Sequence, residues 1–190
     1  MSSILLAIDT TTDVFCLGLS RESELIGEKN IPGRKHSERL MEEIGSLLEE
    51  NSFTHNDITA IGIGTGPGSF TGIRVGMSVA ITMAQFIKIP LYGFSALDLA
   101  GRIHRDPVIK AFRDKYYHAH YSGTGERETD YEIIDAVRVK ELDGVDVLIN
   151  AQDMIRFIEL RIGAGDTGDW KTIEPLYVMA TEYKPKKFSI

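Results

Sequence analysis

Between Ile61 and Gly76 the chain reads IGIGTGPGSFTGIRVG, a spacing of glycines that can hold a phosphate or merely turn the backbone. Gly62, Gly64, Gly66 and Gly68 remove Cβ atoms at every second position, so another group can come close to the main-chain amides. Pro67 stiffens the turn. Ser69 or Thr71 can cap the helix that follows, whose free amides and positive dipole end form an anion seat. Neither common phosphate loop is complete. A Walker A loop needs Lys and then Ser or Thr after its second glycine, where Ser69 and Phe70 stand. The pattern G-x-G-x-x-G, started at Gly62, Gly64 or Gly66, meets Pro67, Ser69 or Thr71 in place of its last glycine. The joint offers amides and no reacting side chain. Asp9 and Asp13 can hold magnesium beside a phosphate, or Asp9 can cap its own turn.

Elsewhere the search for reacting groups is largely negative. The five histidines, His36, His55, His104, His118 and His120, include no pair at i and i+4 on a helix, so a zinc-protease arrangement is absent. His118 and His120 point the same way along a strand, but no carboxylate is near them on that face in sequence, and a solvent-exposed pair is expected. Lys35-His36-Ser37-Glu38 has the ingredients of a nucleophile and a base. Neighbours in sequence seldom align as a triad, however, and Ser37 serves better as a helix cap. Cys16, the single cysteine, excludes a disulfide within the chain and reads as a buried thiol.

The elements around these residues follow from apolar spacing. Ile4 to Ile8, Val14 to Leu19 and Leu25 to Lys29 read as strands of an opening meander, with Asp9-Thr10-Thr11-Thr12-Asp13 turning the first into the second. Leu40, Met41, Ile44, Leu47 and Leu48 recur at helical spacing between Ser37 and Asn51, with glutamates on the other face. Ala60 to Gly64 is a further strand, and a second helix runs from about Thr71 to Ile87, stopped by Pro90. That helix is apolar on most of its circumference, so it must be covered on most of it. Its Gly72, Gly76, Ala80 and Ala84 fall four apart and form a smooth ridge that either packs within the monomer or meets another chain. In the second half, Pro90 to Phe94 reads as a strand, Ser95 with Asp98 caps a short helix to Arg102, and Val108 to Tyr121 gives one or two strands. Glu126 to Asp130 is a charged turn, Val145 to Ile149 a strand, and Met154, Ile155, Ile158 and Ile162 mark a last helix. The expected boundary lies near residues 100–106.

A chain of 190 residues with a 43% hydrophobic share can bury one good core or two small lobes. No run approaches the roughly 18 apolar residues of a membrane span and no signal peptide opens the chain, so a cytoplasmic location without membrane contact is expected. The formal charge of -7 argues against stand-alone nucleic-acid binding, although Lys184, Lys186 and Lys187 cluster near the end.

Four stretches together resemble one known family. Ala7-Ile8-Asp9-Thr10-Thr11, Lys35-His36-Ser37-Glu38, the run Gly64-Thr65-Gly66-Pro67-Gly68-Ser69-Phe70-Thr71-Gly72-Ile73-Arg74-Val75-Gly76, and Glu174-Pro175-Leu176-Tyr177 look like TsaB, also called YeaZ. The resemblance covers residues 1 to about 100 and the tail, and thins between them. It departs from the family at Lys110-Ala111-Phe112-Arg113-Asp114-Lys115-Tyr116-Tyr117, where members commonly show Asp-Ala-Arg and a following Glu, and at Val178-Met179, where an arginine often follows the Tyr.

The resemblance implies an α/β fold of the actin and sugar-kinase type (ribonuclease H-like), with mixed sheets flanked by helices. A first lobe over residues 1–102 would carry partner-docking helices, and a reduced second lobe over 103–190 would send its tail back to the first. It further implies a non-catalytic paralogue of TsaD, the transferase that forms N6-threonylcarbamoyladenosine at position 37 of tRNAs reading codons that start with A. The expected partners are TsaD, TsaE, tRNA only through the complex, and a second copy when the chain is isolated. No cofactor or metal of its own is expected, with ATP or ADP at the complex interface. The docking surface then falls on Leu40, Met41, Ile44, Gly72, Ile73, Gly76, Met77, Ala80 and Ala84. An inherited phosphate or nucleotide site falls on Asp9, Thr10, Gly66, Gly68, Ser69 and Thr71. The competing expectation is an enzyme acting alone, either a nucleotide phosphotransferase or a glycoprotease-like peptidase.

Overall fold

The computed structural model describes residues 2–33 and 36–178, the side chains of 36–38 excepted. Three strands open the chain as an antiparallel meander, β1 (Ile4–Asp9), β2 (Val14–Arg21) and β3 (Glu24–Pro32). β4 (Ala60–Gly66) and β5 (Leu91–Ser95) then add in parallel beside β1, giving the order β3-β2-β1-β4-β5. β1 is buried along its whole length, as a strand covered on both faces must be, and reads as an unbroken apolar run. Its alternation divides the core. Ile4, Leu6 and Ile8 face α1 (His36–Glu50) and α2 (Phe70–Ile87), whereas Leu5 and Ala7 face the last helix, α5 (Ala151–Gly163).

α1 lays Leu40, Ile44, Leu47 and Leu48 on the sheet. Lys29 of β3 ties down its outer side, donating to Ser46 Oγ (2.7 Å) and Glu50 (2.8 Å) and pairing with Glu43 at 3.5 Å. The cap expected of Ser37 lies outside the described side chains, and Lys184, Lys186 and Lys187 lie outside the described residues. α2 is the one helix among the described residues that is long and apolar enough to cross a membrane, and it is instead packed against β4 and α1. The opposite layer is α5, whose Ile158 lies so close over Gly62 that a Cβ there would overlap it.

Past the short α3 (Ala96–Gly101), a second sheet runs β8-β7-β6-β9, built from β6 (Pro107–Lys110), β7 (Lys115–His118), β8 (Glu132–Asp135) and β9 (Val145–Asp146), with α4 (Ala136–Glu141) after β8. The strand expected over Val145 to Ile149 is only two residues long. Its continuation turns away so that Asn150 can cap α5, accepting from Asp153 N–H at 2.9 Å. β8 and α4 went unforeseen because Glu132–Asp135 is half polar and α4 has a single turn and a half. Asp98 does not reach back to complete the cap made by Ser95. It accepts instead from the Tyr121 and Tyr131 hydroxyls, both at 2.7 Å, and joins α3 to the second sheet.

Candidate functional site

The glycine joint closes on itself. Ser69 caps α2, its Oγ accepting from Gly72 N–H at 3.2 Å, while its own N–H donates to the Thr11 carbonyl at 2.7 Å. Thr10 Oγ1 donates to the Gly72 carbonyl at 2.7 Å. A Cβ on Gly68 would overlap the Thr11 carbonyl, one on Gly72 the Thr10 carbonyl, and one on Gly76 the Thr10 hydroxyl. The missing side chains therefore admit the turn between β1 and β2, whose carbonyl oxygens pack directly against Gly68 and Gly72. Gly66, at a φ of 120°, lies under the returning tail, where Leu176 N–H donates to the Thr65 carbonyl at 2.8 Å. Of the expected phosphate residues, Asp9, Thr10 and Gly66 are buried, Gly68 is half-buried, and Ser69 and Thr71 are exposed.

Asp9 serves its own turn. Oδ1 accepts from Thr11 N–H at 2.7 Å and Oδ2 from Thr11 Oγ1 at 3.2 Å. Burial pushes its carboxyl above the ordinary carboxylate value, and the two Thr11 bonds only partly pull it back. Among the described residues no group of three or more His, Cys, Asp or Glu side chains is arranged to hold a metal ion. A cavity of about 260 Å³ separates Thr12, Gly68 and Ser69 from Ile109 and Lys110 of the second sheet and from Leu148 just past it, and a second of about 320 Å³ is walled by Phe70, Tyr117 and Tyr177. Cys16 is buried, and its surroundings push the thiol up to about 12, chiefly by desolvation and then by the charges of Asp9 and Glu28.

The small-residue ridge faces inward. Leu40, Ile44, Gly72, Ile73, Gly76, Met77, Ala80 and Ala84, all expected on a docking surface, are buried within the monomer. Only Met41 of that set reaches solvent, at 49% exposure. The physical reason is the Thr10–Thr11 turn and β4, which fill the smooth side of α2. Its opposite side carries Arg74, Ser78, Thr82 and Phe86 one turn apart, all exposed, with Phe86 at 84%. Between that side and α1 runs an open groove of about 660 Å³, lined by Met41, Ser78, Val79, Thr82, Met83 and Phe86. Phe86 was not among the residues expected on a docking surface, yet it is the most exposed large apolar side chain among the described residues. The signal was there: Ile73, Met77, Ala80 and Ala84 define one buried face, and Phe86 falls off it.

The histidine pair departs from its expected exposure. His118 is 2% exposed, with Asp106 at 3.0 Å from Nε2 and Glu132 at 3.0 Å from Nδ1. His120 Nδ1 is 2.8 Å from the same Asp106 oxygen. The carboxylates arrive from the segment before β6 and from β8, twelve and fourteen residues away, which strand spacing could not show.

The family model described as TsaD: tRNA N6-adenosine threonylcarbamoyltransferase matches residues 30–143, more than half of the chain. An uncharacterized protein of Mycobacterium tuberculosis is 36% identical over 125 residues, 63% of this chain and 59% of that protein. The tRNA threonylcarbamoyladenosine biosynthesis protein TsaB of Bacillus subtilis is 35% identical over 120 residues, 60% of this chain and 52% of the other. The chain thus spans between half and three-fifths of the length of these relatives. The solved structure of YeaZ from Pseudomonas aeruginosa superposes with a TM-score of 0.76 at 22% identity, over 93% of this chain and 100% of that one, which establishes the common fold.

Proposed function

This chain belongs to the TsaD-type family, in its TsaB (YeaZ) branch, and we propose that it is a docking subunit in the formation of N6-threonylcarbamoyladenosine on tRNA. In this reading it performs no bond chemistry. It binds a TsaD-type transferase, with TsaE joining the pair and tRNA reached only through the assembly. Any ATP or ADP belongs to the interface of that assembly.

The observation that carries the reading is the open groove between α1 and α2, where Phe86 stands 84% exposed beside Met41 and Met83. An aromatic and two methionines around a concave apolar floor, rimmed by Ser78 and Thr82, have the composition of an interface centre. The buried ridge beneath it holds α2 rigid against the turn after β1, so the groove is presented preformed. With no transferase present, a second copy of the chain takes the same face.

The test is a pull-down and titration against a purified TsaD-type partner, followed by threonylcarbamoyl transfer to tRNA by the reconstituted system. Phe86→Asp and Met41→Asp should keep the melting temperature and lose the complex, and with it the transfer. Full binding by both variants would remove the groove from the interface.

A further inference from the structure

His118 sits in β7 between two carboxylates of different origin, Asp106 from the segment before β6 and Glu132 directly opposite on β8. Ionised carboxylates only accept hydrogen bonds, so both ring nitrogens must carry a proton for both bonds to be made. We propose that His118 is a pH-sensitive latch of the second sheet: as an imidazolium it fastens β7 to both flanking segments, and loss of one ring proton releases one side.

The groups around the ring support this role. His120, two residues along on the same side of the chain, shares the Asp106 oxygen and lies 3.4 Å from Glu128, so it brings a second imidazole to the same carboxylate. Burial pushes the Asp106 carboxyl up, but the hydrogen bonds from His120 and His118 outweigh it and hold the group below its usual value. α4, packed on β7 and β8, brings Arg138, Lys140 and Glu141, and Arg138 is turned to Glu141 at 3.1 Å. Lys115, at the start of β7, pairs with Asp135 at 3.8 Å. A buried ring that loses a proton leaves a lone pair facing a carboxylate, a repulsive arrangement in place of a charge-assisted bond.

The release would reach the cavity between the sheets. Tyr117, next to His118, brings its hydroxyl to 3.5 Å from the Gly68 carbonyl, and Ile109 and Lys110 of β6 wall the cavity. Protonation thus favours the fastened sheet.

The test is nitrogen-detected NMR of the His118 ring together with amide hydrogen exchange of the whole chain between about pH 5.5 and 8.5, the span in which imidazoles change charge. Two protonated ring nitrogens are expected at the acid end. As one signal is lost, protection of β7 and β8 should fall at least about five-fold relative to β1 and β4, since a bond to a charged group is at stake. His118→Gln should abolish this dependence, and Glu132→Gln, at a half-exposed position, should shrink it without unfolding the chain. A constant protection ratio across the range, or an unchanged dependence in Glu132→Gln, overturns the latch.

Discussion

Along α2 the inward face carries Gly72, Gly76, Ala80 and Ala84, and the outward face carries Arg74, Ser78, Thr82 and Phe86. The first meets the hydroxyl and carbonyl of Thr10 at distances only a missing side chain allows. The second meets solvent across a groove shared with α1. Both rows repeat at four residues, so spacing alone gives them equal claim to a partner. What separates them is contact: small residues are used where the backbone of the same molecule comes close, and a large apolar side chain is left where none of the described residues covers it. The smooth face is therefore a matter of stability, and the rough face is left to solvent.

That contrast breaks most readily at Gly76. Gly76→Leu should destabilise the fold by more than about 3 kcal/mol, because an overpacked core site cannot relax against a fixed turn; a thermal melt reads the loss directly. A variant that melts like the parent yet fails to bind a partner would turn the two faces round. Next in size, Phe86→Asp should leave the melt within about 0.5 kcal/mol of the parent, as exposed substitutions do. It should weaken the complex by about 2 kcal/mol or more, the scale of an interface anchor, when followed by calorimetric titration.

Smaller effects sharpen the role of the turn that supports α2. Ser69→Ala removes the helix cap and should cost about 1 kcal/mol in chemical denaturation, with no change in partner affinity. The least is expected of Asp9→Asn, since asparagine keeps an acceptor for the Thr11 N–H. Here the sign depends on pH. The buried carboxyl is raised on folding, so the folded state is disfavoured once it must ionise: stability is full below the unfolded value near 3.8 and falls as pH rises through that value toward the raised one. Asp9→Asn should thus melt higher than the parent at pH 7 and lose that advantage in acid; a larger advantage in acid would contradict the burial argument.

Much of the first sheet was legible because its signals are local. The meander, both long helices and the strand before the glycine joint follow from periods of two and 3.6, and Ser69 at the helix start was readable as a cap. The candidate site was less so. The sequence singled out α2 and Met41 but left the small-residue ridge open between core and partner, the family resemblance placed it at a partner, and Phe86 was not among the docking residues expected. It also set His118 and His120 apart from any carboxylate, since Asp106 and Glu132 become neighbours only when β6, β7 and β8 pair.

The sequence by itself determined which positions lack a side chain, which faces are apolar and where the chain bends, since these depend on residue type and on neighbours a few positions away. The folded molecule decided what fills each vacancy. Gly62 receives Ile158 from the last helix, Gly72 and Gly76 receive Thr10, and Phe86 stays exposed. Such assignments depend on long-range closure of the sheet, where packing distances between elements, not spacing within one, determine which surface is core and which is left exposed.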